Sequence, residues 1–116
     1  MRKPIEEFHD YITEDVLGHV EGITSKRMFG GFGLYQAGRI FAIITSDQEV
    51  CFKADETVGK EYVAAGATQF IYTGHKNKQP TAMPYWRVPE TVLEDREKIE
   101  DWVYKSAALS QPKLNT

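Results

Sequence analysis

Four β-prone runs fall between Ile23 and Lys53, and the links between them are too short for anything but hairpins. Thr24 to Phe29, Phe32 to Gln36, Arg39 to Thr45 and Glu49 to Lys53 are separated by Gly30-Gly31, Ala37-Gly38 and Ser46-Asp47-Gln48. A parallel neighbour needs a crossover of about a dozen residues or more. Runs joined by two or three turn residues therefore pair antiparallel, as a meander. Any fold open to this chain is built around that sheet.

Helices and two further strands flank the meander. Ile5, Phe8, Ile12, Val16 and Val20 recur at spacings of three and four, which predicts one helix. Pro4 suits its first turn, where a missing N–H costs nothing, and Gly22 suits its stop. Asp55 is placed to cap a second, short helix that ends at Gly66. Thr68 to Thr73 and Met83 to Val88 read as a fifth and a sixth strand, with the polar Gly74 to Pro80 as a loop between them. Pro84 predicts an edge position or a bulge for the sixth. A last helix is expected between Glu90 and Leu109, with Val92, Ile99, Val103 and Ala107 on its apolar face and Trp102 beside them.

The order α-β-β-β-β-α-β-β-α predicts an α+β fold. It is a two-layer sandwich, an antiparallel sheet with helices packed on one face. Residues 1–109 form one domain and residues 110–116 a flexible tail. The face without helices should then be polar, and the sequence departs from this. Ile40-Phe41-Ala42-Ile43-Ile44 is apolar at every position, and Tyr35, Cys51 and one of Tyr85 and Trp86 point the same way. Two solutions are open. A partner, a second copy or another protein, covers that face, or the last helix crosses to it with Trp102.

The sequence offers little chemistry. Gly30-Gly31-Phe32-Gly33 lacks the Gly-Lys-Ser/Thr ending of a phosphate loop, so it reads as a tight turn with a left-handed residue at Gly31 or Gly30. His9, His19 and His75 are scattered and read as solvated, and Glu6 with His9 is too few ligands for a metal. Cys51 alone makes no disulfide and no cysteine-based zinc site. No catalytic residue, metal or cofactor is expected. An enzyme would have to rely on Cys51 as nucleophile. A formal charge of −3 argues against tight direct DNA binding. The charged N-terminus does not read as a signal peptide and no apolar run could span a membrane, which predicts a cytoplasmic protein.

Several motifs, in order, carry a family resemblance. Arg27-Met28-Phe29-Gly30-Gly31-Phe32-Gly33-Leu34-Tyr35 is followed by Gly38-Arg39-Ile40-Phe41-Ala42 and Phe52-Lys53-Ala54-Asp55. Gly66, Phe70 and Tyr72 come next, then Met83-Pro84-Tyr85-Trp86-Arg87-Val88-Pro89 and Trp102. Together they resemble the N-terminal domain of the TfoX/Sxy competence regulators, from about Phe8 to Ala108. Cys51 departs from the pattern, in which an aromatic is common at that place. The resemblance implies an antiparallel sheet packed with helices and no established catalytic residue. It also implies a part in controlling DNA-uptake competence genes alongside the cAMP receptor protein. Regulators of this kind carry a second, C-terminal domain, so the chain is read as the N-terminal domain standing alone.

These readings converge on a non-catalytic interaction domain with a protein partner, possible partners including the transcription machinery and a second copy of the chain. The residues expected to form its interaction or ligand surface are Arg27, Phe29, Gly30, Gly31, Tyr35, Lys53, Tyr85 and Trp86. The alternative is a sensor of a small anion held by Arg27 and Lys53 near the glycine turn.

Overall fold

The computed structural model describes residues 3–28, 30–72 and 81–111. Six strands form a single antiparallel sheet: β1 (Ile23–Met28), β2 (Gly31–Gln36), β3 (Arg39–Ile44), β4 (Val50–Lys53), β5 (Thr68–Tyr72) and β6 (Thr81–Arg87). Their spatial order is β1-β2-β3-β4-β6-β5. The first four are the expected meander. β6 returns to pair with β4 and carries β5 outside it, so β6 is an inner strand. Pro84 is tolerated there because the ladder breaks opposite it. Gln69 pairs Trp86 and Ile71 pairs Ala82, which leaves Met83, Pro84 and Tyr85 facing Phe70 alone. Of the two places expected for this proline, the bulge is the one adopted.

The helices are α1 (Pro4–Asp10), α2 (Glu56–Ala64), α3 (Glu90–Leu93) and α4 (Arg96–Ala107). α1 runs directly into a π-helical segment, Tyr11–Val16, in which the Leu17 N–H reaches back to the Ile12 carbonyl at 2.9 Å. The first helix thus stops at Leu17, short of Gly22. Apolar residues four apart over-rotate on a straight α-helix by about 40° per step. The wider turn offsets that drift, and Ile12, Val16 and Leu17 all stay buried against the sheet. The expected last helix is two. Its chain breaks at Glu94, and Asp95 caps α4 by accepting the Lys98 N–H at 3.0 Å. Asp55 caps α2 on Val58 N–H at 2.8 Å, as its position predicts.

Every helix lies on the same side of the sheet. Phe32, Leu34, Ala42, Ile44, Val50 and Phe52 point into that layer and join Ile12, Leu17, Tyr62, Ile99, Trp102 and Val103 in one buried cluster. Trp102 stacks on Tyr62, with ring centroids 3.9 Å apart, and meets Phe52 edge-on at 6.3 Å. The Tyr62 hydroxyl is satisfied by the Trp102 carbonyl at 3.0 Å and Ser106 Oγ at 2.6 Å. The last helix therefore does not cross to the second face.

A bulge divides the apolar run. Leu34 pairs Ala42 but Tyr35 pairs Ile40, so Phe41 is an extra residue in β3. Phe41 and Ala42 both reach the helix side, Phe41 fully buried with its ring 5.2 Å from Phe52. Only Ile40 and Ile43 are left for the other face. Ser110, the first residue of the expected tail, is buried. Its Oγ donates to the Ile40 carbonyl and accepts from Lys53 Nζ, both at 2.8 Å, and its carbonyl accepts from Arg39 at 2.7 Å. Residues 112–116 of that tail lie outside the described residues.

Candidate functional site: the sheet face without helices

Residues paired directly across antiparallel strands share a face. The register therefore writes the helix-free surface in rows. One row crosses all six strands as Lys26, Gly33, Ile43, Cys51, Arg87 and Thr68. Beside it Tyr35 pairs Ile40 and Lys53 pairs Tyr85, and the two tyrosines lie within electrostatic reach of each other. Gly33 makes room for this surface, because a Cβ there would sit 2.7 Å from Met28 Sδ and 3.4 Å from Ile40 Cδ1. Met28, Tyr35, Ile40, Ile43 and Tyr85 are half-buried, and no helix of the described residues packs over them.

Cys51 belongs to this face and not to the helix-side core. Its cover is an ion pair. Arg87 Nε donates to Glu49 at 2.8 Å, its Nη1 to the Gln69 carbonyl at 3.0 Å, and its guanidinium lies 5.6 Å from the Phe70 ring centre. Burial, with the Glu49 carboxylate beside it, pushes the thiol from 9.0 up to about 12. A thiolate is the reactive form, so Cys51 is poorly suited to act as a nucleophile. Burial likewise pushes the Tyr62 phenol from 10.0 up to about 12. The folded chain keeps both protons over a range in which the unfolded chain loses them. The stability that these two groups contribute is fully present below about pH 9 and is lost, by a few kcal/mol, as pH rises from 9 toward 12. The midpoint of urea unfolding is expected to drop between about pH 8 and about pH 11, and Cys51→Ala to shrink that drop. A thiol reagent at about pH 8 should label Cys51 only once the chain is unfolded. Rapid labelling of the native protein would overturn this picture.

The residues singled out from the sequence do not form one site. Tyr35, Lys53 and Tyr85 meet on the helix-free face. Trp86 pairs Phe52 and points to the other side, where its ring fills the space beside Gly59. Arg27 also faces the helices. It forms an ion pair with Glu6 of α1 and lies 5.1 Å over the Phe32 ring. Arg27 and Lys53 are thus on opposite faces, three strands apart, and do not hold one anion between them. Gly31 is not in the β1–β2 turn as expected but opens β2, paired with Met28, and the left-handed conformation lies at Gly30 before it (φ 77°). Phe29 and His75 lie outside the described residues.

Two arrangements had no signal in the sequence. Arg39 and Lys53, each without a carboxylate partner among the described residues, converge on Ser110 at the end of the sheet. His9 is not solvated. Its Nδ1 lies 2.9 Å from Asp10 Oδ1, its Nε2 2.8 Å from Ser25 Oγ, and its ring lies tilted against Phe32, with centroids 4.2 Å apart. Acid, imidazole and hydroxyl in this order can activate a serine. Here Ser25 sits inside the regular β1–β2 ladder, and the chain of bonds ties α1 to the outer strand. A groove next to it, lined by Thr13, Leu17, Val20, Ile23 and Thr24, has no charged side chain. Among the described residues no three His, Cys, Asp or Glu side chains gather to hold a metal, and no helix is long and apolar enough to cross a membrane.

Charge is divided between the layers. The six strands contain Lys26, Arg27, Arg39, Lys53 and Arg87 and not one carboxylate. The helical segments contain eleven carboxylates against four Lys and Arg, a formal −7. The net −3 of the whole chain conceals a sheet layer of +5.

No curated protein sequence matches the chain. The model of the TfoX N-terminal domain matches residues 15–109, which takes in the end of the π-helical segment, all six strands and α2 to α4. That match covers most of the chain, and the protein belongs to the TfoX N-terminal domain family.

Proposed function

We propose that the chain is a non-catalytic, cytoplasmic interaction domain that acts in transcriptional control of competence genes, docking a protein partner on its helix-free sheet face. The observation that carries this reading is the grouping of Tyr35, Ile40, Ile43, Lys53 and Tyr85 on one face. It is an aromatic and aliphatic surface with a cation at its border, left open by every helix. Aromatic residues are enriched at interface centres, and monomeric proteins seldom leave such surfaces bare. Membership of the family supports the regulatory part of the proposal. The test is affinity purification of the tagged protein from its native host, beside an Ile43→Glu variant. A component of the transcription machinery should be recovered with the parent and lost with the variant. Recovery of the same proteins with both would remove the helix-free face from the proposal.

The Asp10–His9–Ser25 relay supports a second reading, a serine hydrolase at the outer strand. Labelling of Ser25 by a fluorophosphonate, abolished in His9→Ala, would favour it. The proposal above expects no labelling.

A further inference from the structure

We infer that the partner segment seated on the helix-free face is an acidic, amphipathic stretch of polypeptide. The inference rests on the docking face proposed above and adds the chemistry of its occupant. Three of the five strand cations, Lys26, Lys53 and Arg87, project on this face, and Arg39 reaches its end at Ser110. Arg87 is neutralised by Glu49. Lys26 is exposed, and neither it nor Lys53 forms an ion pair among the described residues. Among the described residues Lys53 donates only to the neutral Ser110 hydroxyl, so no carboxylate there answers its charge. An occupant bringing carboxylates to these positions meets no opposing carboxylate in any strand.

The middle of the face selects further. Met28, Ile40 and Ile43 lie between the lysines, with Tyr35 and Tyr85 beside them. This centre offers apolar contact and two phenols, so it suits apolar anchors spaced between acidic residues. A nucleic acid strand would find few cations for its phosphates, one of them already paired. A second copy docked by a two-fold axis would set Lys26 and Lys53 against a like-charged face, which opposes isologous pairing.

The test uses the intact protein and fluorescence anisotropy with labelled polymers. The probes are a random copolymer of glutamate and tyrosine, polylysine and a short oligothymidylate. The copolymer is expected to bind, to release at high salt, and to bind about tenfold more weakly to Lys26→Glu and to Lys53→Glu. Lys98→Glu, a charge reversal in α4 on the other layer, should leave binding unchanged. The Lys26 side chain is exposed and forms no bond to the described residues, so its variant reports on binding without disturbing the fold. Absence of copolymer binding, equal binding by all three variants, or tighter binding of oligothymidylate would each overturn the inference. The two readings fail separately. If Ile43→Glu loses the native partner while the lysine reversals leave copolymer binding untouched, the face stands and its acidic occupant does not.

Discussion

Gly31→Ala is expected to lower the melting temperature by about 10 °C or more, a loss of about 3 kcal/mol in a domain of this size. Gly31 does not need a left-handed backbone, and the reason for the loss is space. A Cβ at this position would lie 1.9 Å from the Ile44 carbonyl oxygen. That carbonyl is backbone of an inner strand, flanked by the Phe32–Ile44 pair, and cannot swing aside as a side chain could. Either the β2–β3 ladder opens at this end or the turn from Met28 moves, and both routes shift Phe32 from its place in the core. The neighbouring glycine supplies the contrast. Gly30 holds φ 77°, but the nearest atom to its Cβ would be Ser46 Cβ at 3.7 Å. Gly30→Ala meets only the left-handed strain, of roughly 1–2 kcal/mol. Thermal melts of the two variants should therefore differ clearly, with Gly31→Ala the lower. The reverse order, or two unchanged melting temperatures, would refute the packing account of this turn.

Adjacent residues in β3 should behave in opposite ways when made acidic. Phe41→Glu is expected to leave the protein unfolded at room temperature, and Ile40→Glu to leave it folded with a melting temperature within a few degrees of the parent. Phe41 is fully buried against Phe52 on the helix side. Losing its ring costs about 3–5 kcal/mol, and a carboxylate with no partner in that core costs more. Together these match the roughly 5–15 kcal/mol that holds a whole domain. Ile40 is half-buried on the helix-free face, where a glutamate side chain reaches water. Circular dichroism and urea titration distinguish the outcomes. A folded Phe41→Glu would mean that the bulge does not place Phe41 among the helices.

This pair also shows what the sequence reveals and what it withholds. The strands of the meander can be read because Gly30-Gly31, Ala37-Gly38 and Ser46-Asp47-Gln48 mark the turns, and Asp55 is visible as a cap because its chemistry is local. Five apolar residues in a row give no sign of which one is extra. Only the pairing of Tyr35 with Ile40 reveals that Phe41 is, and without it alternation assigns the wrong faces. The place of β6 inside β5 is similarly hidden, since it depends on pairing between segments more than thirty residues apart. The candidate surface was partly legible. Tyr35, Lys53 and Tyr85 meet as their alternation suggests, whereas Arg27 and Trp86 belong to the other layer. The separation of charge could not be seen at all while Lys and Glu were counted along the chain. It emerges once each is assigned to a strand or a helix.

The strand order has a consequence for the growing chain on the ribosome. β1 to β4 lie within the first 53 residues, and each can pair with the strand before it once both have left the ribosome. β4 then waits for its second neighbour until synthesis has passed Tyr85, Trp86 and Arg87. Phe41 and Phe52 wait longer, because Ile99, Trp102 and Val103 of α4 come later still. Through that interval the nascent domain presents an unpaired strand edge and an uncovered aromatic face, the two features that most invite wrong partners. The most vulnerable moment in the life of this protein therefore comes before its last helix has been translated.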